Sequence, residues 1–139
     1  MNKKQIISFL KKLNLDENKY VVISGAAMVL YGFKETTSDI DISVKEEYYN
    51  ELINTFNCEI ECIDINNNPV YFIENVVNFG LLYYTDEVNV IEGIRVQSVE
   101  ELINLKKMLN RDKDRSDLKL IFGKKEWYSF FWLFLEFFV

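Results

Sequence analysis

The stretch VVISGAAMVLYGFKETTSDIDISV, residues 21–44, decides how this chain is read. Tyr20–Ile23 has the length and apolar composition of a short buried strand. Ser24-Gly25 then opens a compact helix, Ala26–Tyr31, with Gly32 as its stop. Phe33–Ser38 is polar and turn-like. Beyond it Ile40, Ile42 and Val44 alternate with Asp39, Asp41 and Ser43, which predicts a half-buried strand with one polar face. Period two sends both carboxylates out of that face. Neighbouring carboxylates repel unless a cation, a proton or a basic side chain compensates. A divalent metal carrying a nucleoside triphosphate meets that need. The Ser24 hydroxyl and the N–H groups that follow it are suited to holding phosphate. Two plainer readings stay open: a serine cap with a tight glycine turn, and acids on the wet side of an edge strand.

Working outward, Ile6, Phe9, Leu10 and Leu13 recur at helical spacing and predict an amphipathic helix over 2–13. Glu46–Phe56 reads as a helix with Tyr49, Leu52, Ile53 and Phe56 on one side. Cys58–Ile65 is a strand pattern with two mixed faces, ended by the turn Asn66-Asn67-Asn68-Pro69. Val70–Phe79 is ambiguous. Leu81–Tyr84, Val88–Ile91 and Ile94–Val96 are short strand candidates, with Gly93 in the last turn. Ser98-Val99-Glu100-Glu101 spells a capping box and starts a helix to about Asn110. A second helix runs from Asp112–Asp114 to about Ile121, where Gly123 breaks it. The fold class is α+β with an α/β-like order: a small mixed β-sheet flanked by helices. Residues 1–139 form one domain, with a helical C-terminal portion, 98–121, and an aromatic tail, 127–139.

The bulk chemistry narrows the function. With 139 residues, 49% of them hydrophobic, the chain can bury a real core. A net charge of -6 and a pI of about 4.8 argue against an extended nucleic-acid footprint. There is no histidine, which removes His-based triads, His-ligated zinc and imidazole bases. A metal would then be hard and oxygen-liganded, Mg2+ first and Mn2+ as its alternative. Cys58 and Cys62 share a strand face too far apart for a disulfide and read as two buried free thiols. No secretory signal opens the chain, since Lys11 and Lys12 interrupt its apolar residues; the expected location is cytoplasmic. The tail, at 13 residues, is too short to span a bilayer, which takes about 20. It is expected to pack on the domain, on a second copy or on a cognate protein partner, with a membrane-surface contact as the lesser reading.

A phosphoryl-transfer site usually needs a third carboxylate, as ligand or as base for the acceptor hydroxyl. Asp64 is the candidate, near the end of the next strand; Glu61 is weaker, and Glu92, in a hairpin, weaker still. Downstream, Arg111, Lys113, Asp114, Arg115 and Asp117 mix charges at helical spacing. The basic ones either balance those acids or reach a triphosphate. Lys106 points at a nucleotide or at solvent. Thr37, two residues before Asp39, is a phosphate contact or a strand-entrance hydrogen bond.

Ser24-Gly25, Thr37-Ser38-Asp39-Ile40-Asp41 and Arg111-Asp112-Lys113-Asp114-Arg115-Ser116-Asp117 together resemble the nucleotidyltransferase superfamily, which shares a polymerase-beta-like core. The likeness covers roughly residues 20–121. It is greatest to small bacterial members of the AbiEii-type, minimal and antibiotic nucleotidyltransferase kinds. In that superfamily a glycine-glycine or glycine-serine pair opens a helix and Asp-x-Asp on the next strand binds metal. Ser24 stands here at the first position of the pair, and Glu35 where relatives often carry Arg. The resemblance implies a nucleotidyltransferase fold and transfer of a nucleoside monophosphate from a triphosphate, ATP foremost, to a hydroxyl acceptor on a protein, a tRNA end or a small molecule. It implies Asp39, Asp41 and Asp64 as catalytic metal ligands, and Ser24, Gly25, Thr37 and Lys113 as nucleotide contacts. The alternative it leaves is a weak or inactive member acting as a toxin–antitoxin-type or other binding partner.

Overall fold

The computed structural model describes residues 1–124; the tail at 127–139, and with it the expected packing partner, lies outside the described residues. The chain divides into two compact units, Met1–Leu102 and Ile103–Val139. Four helices, α1 (Lys3–Leu13), α2 (Ser24–Leu30), α3 (Glu46–Thr55) and α4 (Val99–Leu109), are interleaved with seven strands. The strands are β1 (Tyr20–Ile23), β2 (Ile40–Val44), β3 (Glu59–Ile63), β4 (Pro69–Ile73), β5 (Val77–Gly80), β6 (Val88–Ile91) and β7 (Ile94–Gln97). They form one mixed sheet in the order β3-β4-β5-β2-β1-β7-β6. This is the expected α+β arrangement, with β2 antiparallel to β1 and parallel to β5 at its centre.

The alternation read in β2 sets both faces of this sheet. Val22 pairs with Ile42 and with Val96, Ile42 with Phe79, and Phe79 with Tyr71. Paired residues leave the same side, so these side chains make one apolar face. Most of them are buried. Tyr49 of α3 lies edge-on to Phe79 and Tyr71 on that face, ring centroids 5.7 and 5.8 Å away, and its hydroxyl donates to the Pro69 carbonyl. The opposite face carries Ile23, Asp41, Ser43 and Asn78.

Local chemistry explains the boundaries. Asn2 and Gln5 close a reciprocal capping box at the start of α1. Gly32, at φ +81°, ends the α2 segment as expected. The ambiguous Val70–Phe79 region is two strands. Glu74 and Asn75 turn the chain between them with φ of 52° and 55°, and Val76 N–H donates to the Ile73 carbonyl. Leu81–Tyr84 is not a strand: Ser43 donates its hydroxyl to the Tyr83 carbonyl and fixes an irregular segment over the polar face. The capping box of α4 is half made. Ser98 accepts from Glu101 N–H, but Ser98 N–H goes to the Glu87 carbonyl, and the Glu101 carboxylate accepts from Tyr83. Neither cysteine is fully buried. Cys58 is half-buried and Cys62 exposed, because β3 is an edge strand with every residue open.

In the second unit residues 112–124 are helical, so Gly123 does not end the helix within the described residues. Lys106 faces neither solvent nor nucleotide. It is 1% exposed and its ammonium lies 3.4 Å from Asp114 and 2.9 Å from Asp117, both buried. Arg111 adds a two-pronged contact to Asp114, and its backbone N–H donates there too. Burial works to raise the Asp114 pKa, but the Arg111 hydrogen bonds and charge, with the Lys106 charge, hold it down at about 2.

Two outcomes follow from this cage. Lys106→Met removes an ammonium shared by two buried carboxylates and is expected to cost about 3 kcal/mol in urea unfolding. The folded Asp114 pKa lies below its unfolded value, so its contribution to stability is full above about pH 4 and is lost as pH falls toward 2. Asp114→Asn is expected to flatten the wild-type loss of stability across that window, read as unfolding midpoints against pH.

Candidate functional site

The polar face is built by the ends of four strands. Val22 is level with Val96, so one residue further on Gln97 of β7 stands beside Ile23. Ile23 pairs with Asp41, and Asp41 with Asn78. Gln97, Ile23, Asp41 and Asn78 therefore form one row across β7, β1, β2 and β5. Asp39 lies in the bend just before β2, two residues ahead of Asp41, and both residues are half-buried. A groove of about 180 Å³ opens beside Asp41, walled by Ile23, Val70, Asn78, Leu82 and Tyr83.

The Ser24–Gly25 turn enters the row from β1. Ser24 has φ +57°, a left-handed conformation that costs a non-glycine residue about 1 kcal/mol. The Thr37 hydroxyl comes so close to Gly25 that a Cβ there would stand 3.0 Å from it. Three of the expected nucleotide contacts, Ser24, Gly25 and Thr37, thus belong to one small region beside the carboxylates. The fourth, Lys113, is exposed on the 112–124 helix of the second unit.

Asp64 is not brought to the pair. It lies past the end of β3, which is three places from β2 in the sheet, or about 14 Å at the usual strand spacing. Its Oδ1 accepts from the Asn66 and Asn68 N–H groups, each at 2.9 Å, and so holds the β3–β4 turn. Its Oδ2 is buried without a hydrogen bond. Glu61, the weaker candidate, is the acid that reaches the row. A register irregularity between Ile60 and Cys62 falls at Glu61, and its carboxylate accepts from Asn78 Nδ2 at 3.1 Å. Glu92 is in the β6–β7 hairpin turn with φ 49°.

Sequence reading missed Asn78, Tyr83 and Gln97. Gln97 is fully buried; its Oε1 accepts from Ser24 N–H at 2.6 Å and its Nε2 donates to the Tyr83 hydroxyl at 3.3 Å. Tyr83 donates in turn to Glu101 at 2.7 Å. Burial first, then the Glu101 hydrogen bond and charge, push the Tyr83 pKa up to about 12 and keep the phenol protonated. For Gln97 the available signal was a polar residue closing a short strand, and for Asn78 an amide set between Val77 and Phe79.

Among the described residues no three His, Cys, Asp or Glu side chains converge closely enough to hold a metal by themselves. The expected triad of Asp39, Asp41 and Asp64 is therefore absent as a ligand set. Two half-buried aspartates beside a groove still fit Mg2+, which keeps several waters and takes one or two carboxylates together with substrate phosphates.

The architecture is that of a nucleotidyltransferase structure. The chain superposes on the crystal structure of TM1012 from Thermotoga maritima, a candidate nucleotidyltransferase, with a TM-score of 0.61 and 17% identity, covering 89% of this chain and 96% of that one. JHP933 from Helicobacter pylori matches at a TM-score of 0.41 and 19% identity, over 63% of this chain and 47% of that one. No protein-family model matches the sequence, and no curated protein matches it. No described helix is long and apolar enough to cross a membrane.

Gly25→Ala is expected to displace Thr37 and lower stability by about 1 kcal/mol, whereas Ser24→Gly, which suits a left-handed φ, is neutral or stabilising. Paired thermal melts of the two variants check the contrast.

Proposed function

We propose that the chain is a Mg2+-dependent nucleotidyltransferase that moves a nucleoside monophosphate from a triphosphate, ATP foremost, to a hydroxyl acceptor. The observation that carries this reading is the pair Asp39 and Asp41, both half-buried at the start of β2, beside the Ser24–Gly25–Thr37 region and a groove. Asp39 and Asp41 would hold the metal, Mg2+ or Mn2+. When bound, the metal neutralises charge on the transferring and leaving oxygens. Ser24, Gly25 and Thr37 hold phosphate oxygens. The acceptor oxygen enters through the groove and attacks the α-phosphorus in line. The bond from that phosphorus to the bridging oxygen breaks, and pyrophosphate leaves. The acceptor proton passes to a carboxylate, and Glu61, hydrogen-bonded to Asn78, is better situated for that than Asp64.

One observation favours a second reading, a weak or inactive member that acts through binding, in a toxin–antitoxin pair or with another partner. The residue level with Asp41 on β5 is an amide, Asn78, and not a third acid. A single experiment separates the two: pyrophosphate release from Mg2+ and ATP with protein, tRNA-end and small-molecule hydroxyl acceptors. An active transferase releases it with one of them, and Asp41→Asn lowers the rate at least about a hundredfold. Nucleotide binding without release from any acceptor supports the second reading.

A further inference from the structure

The left-handed Ser24 needs something to hold it, and the sheet ladder does not. Parallel pairing of β1 with β7 reaches Val22 and Val96 and stops, because the chain turns into α2 at Ser24. The Ser24 N–H is thus at a point where neither strand nor helix supplies an acceptor. A fully buried side-chain amide takes that place: Gln97 Oε1, at 2.6 Å.

The direction of that amide is dictated from further away. An ionised Glu101 only accepts. The Tyr83 proton therefore points to Glu101, and the Tyr83 oxygen is left to receive Gln97 Nε2–H. With its nitrogen committed, Gln97 must present its oxygen to Ser24. The Gln97 carbonyl is pinned as well, accepting from the Tyr31 hydroxyl at 2.7 Å. Tyr83 is also a wall of the groove at Asp41, so one chain of hydrogen bonds ties that wall to the Ser24–Gly25 turn.

We infer that Gln97 is a positioning residue that, oriented by Tyr83 and Glu101, holds the Ser24–Gly25 turn in the left-handed shape used to receive the triphosphate. This inference rests on the nucleotide reading of the same site. Because Ser24 N–H is consumed by Gln97, phosphate is received by the Ser24 hydroxyl and the groups that follow it. Glycine adopts φ +57° without help. Ser24→Gly should therefore make the site independent of Gln97, which a merely structural role for Gln97 would not produce.

The test uses the full chain and two readouts: calorimetric binding of ATP with Mg2+, and NMR hydrogen exchange at the residue 24 amide. Gln97→Met is expected to weaken nucleotide binding about tenfold and to speed Ser24 exchange. Ser24→Gly alone loses the hydroxyl contact and sets its own baseline; adding Gln97→Met to it is expected to cost little further affinity, against about tenfold when Ser24 is present. Should Gln97→Met fail to fold, Tyr83→Phe with and without Ser24→Gly carries the same comparison, since it frees the Gln97 amide to turn. Unchanged affinity and exchange in the Gln97 or Tyr83 variants, or an equal loss of affinity when Gln97→Met or Tyr83→Phe is added to Ser24→Gly, overturns the inference. If the wild type binds no nucleotide, the functional reading fails. Ser24 exchange then still decides whether Gln97 holds the turn.

Discussion

The strict alternation of β2 is the constraint from which the rest of the first unit follows. Ile40, Ile42 and Val44 must be buried, and that requirement fixes which way Asp41 and Ser43 point. Because β2 is central, its neighbours inherit the choice: Val22 and Phe79 join the apolar side, Ile23 and Asn78 the polar one. A slip of one residue would turn the Asp41 carboxylate into the apolar face and put Ile40, Ile42 and Val44 on the polar one. The site is thus a by-product of register, and register is set by the hydrophobic effect.

Where local chemistry decides, the residues spoke clearly. Tyr20–Ile23, the turn at Gly32, the β2 alternation and the helical spacing of Ile6, Phe9, Leu10 and Leu13 in α1 are all patterns of neighbours. The β4–β5 turn was hidden because Glu74 and Asn75 take left-handed φ without a glycine to mark them. Glu61 was underrated for a similar reason: a bulge changes where a side chain goes without changing composition. Asp64 looked catalytic from its place near a strand end, yet an Asp two residues before an Asn-rich turn is also well suited to bind the turn's own N–H groups, and it does so.

Long-range partnerships were the least legible. Gln97 meets Ser24 across 73 positions, and nothing around either residue announces the other. Lys106 had the spacing of an ordinary surface lysine. Its burial follows from Asp114 and Asp117 being one helical turn apart, so that both carboxylates reach one ammonium. In the same segment Arg111 pairs with Asp114 and Arg115 with Asp112, so much of the basic charge there is spent within the unit.

The open rim of the sheet has a consequence of its own. At β3 the outward backbone groups have no strand beside them among the described residues, and Ile60 and Ile63 are more than half exposed. Such a rim invites a second molecule to add a strand. Glu59 and Glu61 alternate along it, so a copy arriving there brings like charge against like charge. Repulsion between carboxylates therefore opposes such strand addition, and concentrated salt weakens it.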